Sequence, residues 1–434
     1  MKMNDLVIIS VDDHICEPPT LFDKQLSGEL LASAPKFVTD ANGKNLWTYQ
    51  GMKFHSVGLN AVVGRPFEEY GMEPTSLDQL RKGCYDVHGR IDDMDVNGIA
   101  ASLCFGNSIA FNGKTFHAAA DKTLALRHLQ AYNDWHIDEW CGAYPGRFIP
   151  CAILPTWDMS ATVAEIKRLS RKGCYTVMVN ENPTIQGLPS IHNDYWKPFF
   201  KAIADTDTTI CLHIGSGNPA PHASKETPID AWITTMPISI AVGAADWLSL
   251  RALKDHPNLR IALSEGSIGW VPYFLERADF TNWRHGIWTN SIFNAKRKPS
   301  DVFRKHFLNC FIVDDFGLKN LKDIGEDMVA YECDYPHSDA VWPDMPEYLW
   351  KSLRKLTPRQ INKVTHLNAM RFFRFDPFKQ HKKKDLTVGA LRAAARKRKV
   401  DTRIQSSEGA RPVAAGVRRP VTSGDLMTMF AARS

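Results

Sequence analysis

Short apolar runs alternate with segments of helical length along most of the chain, and this alternation constrains the fold more than any other feature. There are seven such runs, at residues 6–11, 99–107, 148–155, 175–180, 209–217, 259–266 and 327–337. Continuous apolar runs are typical of parallel strands that are buried on both faces. Strands that alternate with helices indicate a doubly wound sheet or a barrel. The sequence therefore predicts an α/β fold.

Ionisable residues stand at the ends of several runs, where both of these folds place their chemistry. They are Asp12, His14, His213, Glu265, Asp334 and His337. No glycine-rich phosphate-binding motif follows any of the runs, which argues against a nucleotide-binding sheet. We therefore predict a (β/α)8 TIM-barrel enzyme that occupies residues 1–378.

Two segments differ in composition from the predicted barrel. Residues 36–85 are rich in glycine, proline and polar residues, and we interpret them as an insertion after the first strand. Long insertions of this kind are often lids over an active site, although a surface loop without a special role fits equally well.

Residues 379–434 form the second of these segments and hold 14 Lys and Arg against 4 Asp and Glu, whereas the rest of the chain holds 39 against 44. This composition predicts a basic, flexible C-terminal tail. The tail could contact acidic partners. Nucleic-acid binding is not expected, because no zinc finger, aromatic RNA-binding motif or helix-turn-helix accompanies the charge.

The cysteines and the start of the chain bear on its compartment. The nine cysteines are scattered, odd in number and without a CxxC pair, as expected of core residues in a reducing compartment. The first apolar run is too short for a signal peptide, and no stretch approaches the roughly 18 apolar residues of a membrane span. We predict a cytoplasmic protein that does not bind membranes.

The strongest local signal is the pair Asp12 and His14. Residues two apart on a strand face the same side, so both side chains can reach one ion. A carboxylate and an imidazole suit zinc, manganese or iron, and of these we expect zinc first. His213 and Asp334 stand at other strand ends and could complete the site for one divalent ion. Glu17 is a further candidate ligand, or a partner that orients a ligand.

The other candidates each allow two interpretations. Glu265 could act as a general acid or base, or it could orient neighbouring His or Arg side chains. Asp334 could accept a proton besides binding the metal, and His337 could serve catalysis or cap the turn that follows. Arg65 could bind a substrate carboxylate. Trp270 could wall the pocket or belong to the core.

Taken together, these motifs resemble the amidohydrolase-related family, in the branch that includes aminocarboxymuconate semialdehyde decarboxylase. The resemblance covers residues 5–378 and includes GRIDDMDVNGIAASL, SEGSIGWVPYFLERAD and CDYPHSDAVWP. It implies a distorted TIM barrel with one catalytic metal, ligands from the first, fifth and eighth strands, and possible homodimers. In this chain, the positions that match the family's metal ligands are Asp12, His14, His213 and Asp334.

Two departures from the family pattern bear on the reaction. Many members begin with His-x-His, whereas this acid-x-His start resembles the branch that decarboxylates dihydroxybenzoates. The family's decarboxylases usually place a catalytic histidine where this chain has Ser264-Glu265-Gly266, so Glu265 could take that role.

We therefore predict non-oxidative decarboxylation of a small aromatic or unsaturated carboxylic acid. The alternative is hydrolysis of a C–N, lactone or C–C bond by metal-activated water. A third hypothesis is a non-enzymatic scaffold recruited to acidic partners through its tail.

Overall fold

The computed structural model describes residues 1–55, 57–71, 76–406 and 419–426, and parallel strands form its centre. One parallel sheet has the order β1-β5-β6 and another has the order β12-β11-β10-β9-β8-β7. The strands of these two sheets are β1 (Ile9–Ile15), β5 (Ala101–Gly106), β6 (Phe148–Ile149), β7 (Ala152–Ile153), β8 (Thr176–Met178), β9 (Thr209–His213), β10 (Arg260–Ser264), β11 (Phe307–Phe311) and β12 (Val329–Tyr331). The predicted α/β class is confirmed.

The two parallel sheets approach each other at both of their edges. Only Pro150 and Cys151 separate β6 from β7 along the chain. At the other edge, the segment that follows β12 is bonded to β1. There the Asp334 N–H donates to the Asp12 carbonyl at 2.8 Å, and the His14 N–H donates to the Tyr335 carbonyl at 2.7 Å. These two bonds place the end of β12 directly beside β1.

Helices follow most of the strands, and many of them begin at a side-chain cap. The carboxylates of Asp121 and Asp158, for example, accept the free N–H groups of the first turns of α4 and α5. The helices are α1 (Gly28–Ser33), α2 (Val87–Val96), α3 (Lys114–Ala118), α4 (Lys122–Trp135), α5 (Met159–Arg171), α6 (Lys197–Thr206), α7 (Ile229–Leu248), α8 (Ala252–Asp255), α9 (Val271–His285), α10 (Pro299–His306), α11 (Asp315–Lys319), α12 (Leu321–Ile324), α13 (Met345–Leu353), α14 (Pro358–Asn362), α15 (Asn368–Phe372) and α16 (Val388–Arg398). None of the helices in the described ranges combines the length and apolar character needed to cross a bilayer.

The sequence prediction missed one of the parallel strands, β11. This strand begins at Phe307, directly after α10 ends at His306, so no glycine or proline marks the change from helix to strand. It also carries Asn309, whose side-chain amide donates to the carbonyls of Phe307 and Met328. The NH2 group of this amide therefore has partners inside the sheet, although a buried asparagine interrupts the apolar pattern that identifies a strand in sequence.

The predicted insertion has a sheet of its own. Strands β2 (Lys36–Thr39), β3 (Asn45–Tyr49) and β4 (Met52–Phe54) pair antiparallel. Trp47 is fully buried, and the Tyr49 hydroxyl lies 2.9 Å from Nδ1 of His128 in α4. The insertion is thus anchored to the main body of the fold. Residues 56 and 72–75 of this predicted segment lie outside the described residues.

The prediction of a flexible tail from residue 379 is wrong for the segment that contains α16. Val388, Leu391 and Ala395 are buried along one face of this helix. Arg392 donates to the Val96 carbonyl and to the Glu347 carboxylate. The basic residues obscured an apolar stripe at helical spacing, which is what packs α16 against the fold. Residues 407–418 and 427–434 of the predicted tail lie outside the described residues.

Because α16 is packed, we expect a core substitution in it to destabilise the whole protein. Leu391→Ala should lower the free energy of unfolding by about 2–5 kcal/mol, as removal of a buried leucine side chain usually does. Lys397→Ala, at an exposed position of the same helix, is the matched control and should change it by no more than about 0.5 kcal/mol. Urea unfolding of both variants measures this, and equal stability of the two would show that α16 does not pack.

After α16 the chain is hydrogen-bonded to the insertion. The Arg81 guanidinium donates to the Asp401 carbonyl at 2.8 Å, and the Gln405 N–H donates to the Gly64 carbonyl at 2.9 Å. Next to Gly64, the Val63 N–H donates to the carbonyl of Pro336 at 3.1 Å. These bonds connect the C-terminal part of the chain to the loop that follows β12.

Candidate metal centre

Two carboxylates and two imidazoles converge at the carboxyl ends of three strands. Asp12 and His14 lie in β1, His213 ends β9 and Asp334 follows β12. The Nε2 atoms of His14 and His213 are 3.1 Å apart. The Asp12 carboxylate lies 3.4 Å from Nε2 of His14 and 3.3 Å from Nε2 of His213, and Asp334 lies 3.5 Å from Nε2 of His14. The ligand atoms of Asp12, His14 and His213 thus lie within 4.8 Å of one another, and those of His14, Asp334 and His337 form a second such group that shares His14.

Local strand structure explains how Asp12 and His14 reach that point together. The prediction placed them just beyond the first strand, but they lie inside β1. The pairing of β1 with β5 shifts register between Ser10 and Asp13. Irregularities of this kind bend a strand and redirect its side chains, and they are frequent beside active sites.

Hydrogen bonds to the backbone set the tautomers of both imidazoles. Nδ1 of His213 lies 2.7 Å from the Ile214 carbonyl, and Nδ1 of His14 lies 3.4 Å from the Gly106 carbonyl. A carbonyl only accepts, so each Nδ1 carries the proton when the ring is neutral. Each Nε2 then has a free lone pair that points at the other ring. Two such lone pairs are the donors expected around a cation.

Three of the four carboxylate oxygens of Asp12 and Asp334 lack a hydrogen-bond partner among the described residues. Asp12 and Asp334 are fully buried. Both oxygens of Asp12 and Oδ2 of Asp334 have no hydrogen-bond partner among the described residues. An uncompensated buried carboxylate is strongly unfavourable. The donor set therefore fits a divalent cation held by Asp12, His14, His213 and Asp334.

The pKa values show how the cluster distributes protons without a cation. Burial raises the pKa of Asp12, but the charges and hydrogen bonds of His213 and His14 together outweigh burial and bring that pKa to about 2. Burial lowers the pKa of His213, but Asp12, Glu265 and the Ile214 carbonyl together outweigh burial and bring that pKa to about 10. Burial together with His337 lowers the pKa of His14 to about 3, and burial together with Asp12 raises the pKa of Asp334 well above its usual value. In the absence of a metal ion, the proton on His213 therefore supplies part of the positive charge that a bound cation would provide.

Cation binding must consequently displace protons. Because an imidazolium cannot ligate, we expect the metal-free protein to release at least one proton per ion bound at pH 7. Affinity should rise about tenfold per pH unit for each proton released. Since the pKa of His213 is raised to about 10, the rise should continue up to that pH. Titration calorimetry in buffers of different ionisation heat measures the proton count, and pH-independent affinity between pH 6 and 8 would contradict it.

Glu265 approaches the cluster from the end of β10. Its Oε2 lies 3.5 Å from Nε2 of His213, and its side chain is 17% exposed. Its backbone has a φ of 60°, in the left-handed region that non-glycine residues rarely adopt, and Asp334 has a φ of 56°. Such conformations persist where the surroundings enforce them, and they are concentrated at active sites.

A second glutamate, which the sequence analysis missed, holds Glu265 in place. The Glu265 N–H donates to both carboxylate oxygens of Glu332, each at 3.1 Å. Glu332 is fully buried directly after β12, in the motif YECD. Burial is the largest cause that raises the pKa of Glu265 and of Glu332 well above the usual range. The sequence feature that could have identified Glu332 is an acidic residue inside an apolar run.

His337 lies beside the cluster and links two elements. Its Nδ1 is 2.8 Å from Oδ1 of Asp334, and its Nε2 is 2.8 Å from the side-chain oxygen of Asn107. Its ring centroid is 4.2 Å from that of His14. Asn107 ended the second predicted strand but was not recognised as a site residue.

The structure does not bring Glu17 and Trp270 into the cluster. The Glu17 carboxylate accepts the N–H groups of Ser108 and Ala110 and so holds the loop after β5. It is not among the groups whose ligand atoms lie within 4.8 Å of one another. The Trp270 indole donates to the Gly266 carbonyl at 2.8 Å, and its ring packs on Phe274 at the start of α9.

Arg65 lies in the insertion and is 4% exposed. Its segment reaches the loop that carries Asp334, because the neighbouring Val63 N–H binds the Pro336 carbonyl. The insertion therefore touches the loop that contributes two residues of the site.

The fold and the site define a class of metal-dependent α/β enzymes, and comparison with known proteins gives the family. The amidohydrolase family model Amidohydro_2 matches residues 84–375. The chain belongs to this amidohydrolase family. No match was found among curated proteins.

Solved structures of low sequence identity share the fold. An amidohydrolase from Mycobacterium avium subsp. paratuberculosis K-10 is 16% identical, with a TM-score of 0.65 over 85% of this chain and 99% of its own. 5-Carboxyvanillate decarboxylase LigW from Sphingomonas paucimobilis is 18% identical, with a TM-score of 0.59 over 86% and 100%. A dihydroxybenzoic acid decarboxylase from Polaromonas sp. JS666, with bound manganese and the inhibitor 2-nitroresorcinol, is 20% identical, with a TM-score of 0.56 over 87% and 98%.

Proposed function

We propose that this protein is a metal-dependent, non-oxidative decarboxylase of a small aromatic carboxylic acid. The observation that carries the proposal is the buried group of Asp12, whose carboxylate oxygens both have no hydrogen-bond partner among the described residues, with the facing Nε2 atoms of His14 and His213. Two solved structures of the same fold are named as decarboxylases of aromatic acids. The pair Asp12 and His14 in β1 has an acidic residue where many family members have histidine. This pattern supports the branch of the family that decarboxylates dihydroxybenzoates.

The ion would be held by Asp12, His14, His213 and Asp334. When bound, a divalent cation would hold the substrate carboxylate and a neighbouring oxygen and withdraw charge from them. Imidazoles suit zinc and carboxylates suit manganese, so this mixed donor set accommodates either. The Polaromonas structure contains manganese. We propose zinc or manganese as the resident ion.

Glu265 is the residue that we propose supplies the proton. In the reaction the bond between the ring carbon and the carboxylate breaks, and its electron pair stays on that carbon. The carbon takes a proton from Oε2 of Glu265, and carbon dioxide leaves. Burial and the neighbouring Asp334 raise the pKa of Glu265 well above its usual value, which favours the protonated form that a proton donor requires. Solvent can then restore the proton, since the side chain is partly exposed.

The surrounding residues would orient the substrate and the ligands. His337, fixed between Asp334 and Asn107, would keep the Asp334 carboxylate in position. Arg65 would bind an acidic group of the substrate from the insertion, which we propose acts as a lid. The bonds between β1 and the segment after β12 support a closed, distorted (β/α)8 barrel.

The test is product analysis with the metal-loaded protein. Incubation with hydroxylated benzoates in oxygen-18 water should release carbon dioxide and give the phenol without oxygen-18 at the ring. Oxygen-18 in a product of a lactone, amide or C–C substrate, with no carbon dioxide from the benzoates, would instead establish the hydrolase. The Asp12→Asn variant serves as the negative control, because it lacks the carboxylate of one proposed metal ligand.

A further inference from the structure

Few groups around the candidate metal centre are open to an incoming molecule. The four ligand side chains are no more than 3% exposed. Around them, Glu265 is 17% exposed and His337 is 11% exposed. Phe111, whose ring lies beside both imidazoles, is also partly exposed. A substrate that reaches the centre can therefore meet an aromatic side chain beside two polar ones.

Phe111 packs directly against both imidazoles. Its ring centroid lies 5.2 Å from that of His213 and 6.1 Å from that of His14, and its plane is tilted by 32° from the His14 ring. Phe105 contacts the same two rings at 5.2 and 5.8 Å, but it is only 2% exposed. Phe105 is therefore part of the core, whereas Phe111 keeps part of its surface exposed while its ring lies beside both imidazoles.

The turn that carries Phe111 is fixed in place. Phe111 begins a short helical turn, Phe111–Gly113, in which Asn112 has a φ of 48°. Asn112 is buried, and its side chain donates to the Ser216 carbonyl at 3.1 Å, in the loop that follows His213. Glu17 holds the preceding residues through the N–H groups of Ser108 and Ala110. A ring on a fixed turn loses little freedom when a ligand packs on it.

From this geometry we infer that Phe111 selects planar aromatic acids, by packing its ring against the ring of the substrate while the acid group reaches the metal centre. The inference rests on the proposed function and names its specificity residue. Aromatic rings prefer offset or edge-to-face contact with other rings, which an aliphatic acid of the same charge cannot offer. Phe111 thus distinguishes aromatic acids from aliphatic acids of the same charge.

The test is ligand binding, which does not depend on turnover. Manganese-loaded protein is titrated calorimetrically with 4-hydroxy-3-methoxy-5-nitrobenzoic acid and with adipate, in the wild type, Phe111→Leu and Phe111→Tyr. We expect Phe111→Leu to weaken binding of the nitrobenzoate about tenfold and binding of adipate less than about twofold. Phe111→Tyr should retain nitrobenzoate affinity within about twofold. Phe316→Leu, at a side chain that is 63% exposed, is the matched control and should change neither.

Each other outcome overturns the inference. Equal losses for both ligands would show that Phe111 only supports the fold, and unchanged nitrobenzoate affinity would show that its ring is not used. A wild-type protein that prefers adipate or binds neither ligand also contradicts it. Phe111-dependent binding of the nitrobenzoate, without carbon dioxide from any benzoate, would overturn the proposed reaction and leave the aromatic selectivity standing.

Discussion

Asp12→Asn is expected to lower metal affinity by more than about 100-fold. Loss of a residue that merely supports a metal ligand costs about 10- to 100-fold, and Asp12 is itself a ligand candidate between both imidazoles. The substitution preserves shape but removes the negative charge that would face the ion. Metal content of the purified protein and calorimetric titration with manganese or zinc both measure the effect.

The matched control for this experiment is Asp95→Asn. Asp95 is also buried, but it pairs with Arg147 and Arg398 away from the metal centre. Its substitution should lower stability and leave metal affinity unchanged. If Asp12→Asn protein binds the metal as tightly as wild type, the assignment of the centre fails.

Glu265→Gln is expected to reduce kcat for decarboxylation by about 10²- to 10⁴-fold, the usual contribution of a positioned acid or base. Glutamine keeps the size of the side chain but cannot give up a proton. Metal content should stay close to that of the wild type, because Glu265 is not among the four proposed ligands. Single-turnover kinetics with a benzoate substrate separate the chemical step from product release.

Glu165→Gln provides a comparison for the loss of a buried glutamate. Glu165 is 1% exposed in α5 and pairs with Arg168, so its substitution tests general damage to the fold. A Glu265→Gln enzyme that retains full kcat would move the proton-transfer role to another residue. His337, beside Asp334, would then be the next candidate.

The four candidate ligands could be singled out in the sequence because each stands at or near the end of an apolar run. Strands in a parallel sheet deliver such positions to one edge, so Asp12, His14, His213 and Asp334 could be grouped without knowledge of their distances. The family resemblance gave the same four residues. The register irregularity in β1 could not be predicted, because it depends on pairing with β5.

The residues that sequence analysis missed or misplaced are those whose role depends on contacts distant in sequence. Glu332 was not singled out in the sequence, and only the fold shows that its carboxylate accepts the Glu265 N–H. Glu17 was predicted either to bind the ion or to orient a ligand, but its carboxylate accepts backbone N–H groups of the loop after β5. The segment that forms α16 was interpreted from its basic composition alone. Its apolar residues recur at helical spacing, and that spacing would have indicated an apolar face.

The contact between Gln405 and Gly64 has a consequence for how this enzyme can diverge. The matched family region ends at residue 375, yet residues beyond it are bonded to the insertion, and the insertion is bonded to Pro336 beside Asp334. Substitutions near Gln405 would therefore be transmitted through the insertion to the loop that carries Asp334, although they leave every candidate metal ligand unchanged. We expect that selection can retune the site at such positions, remote from the chemistry.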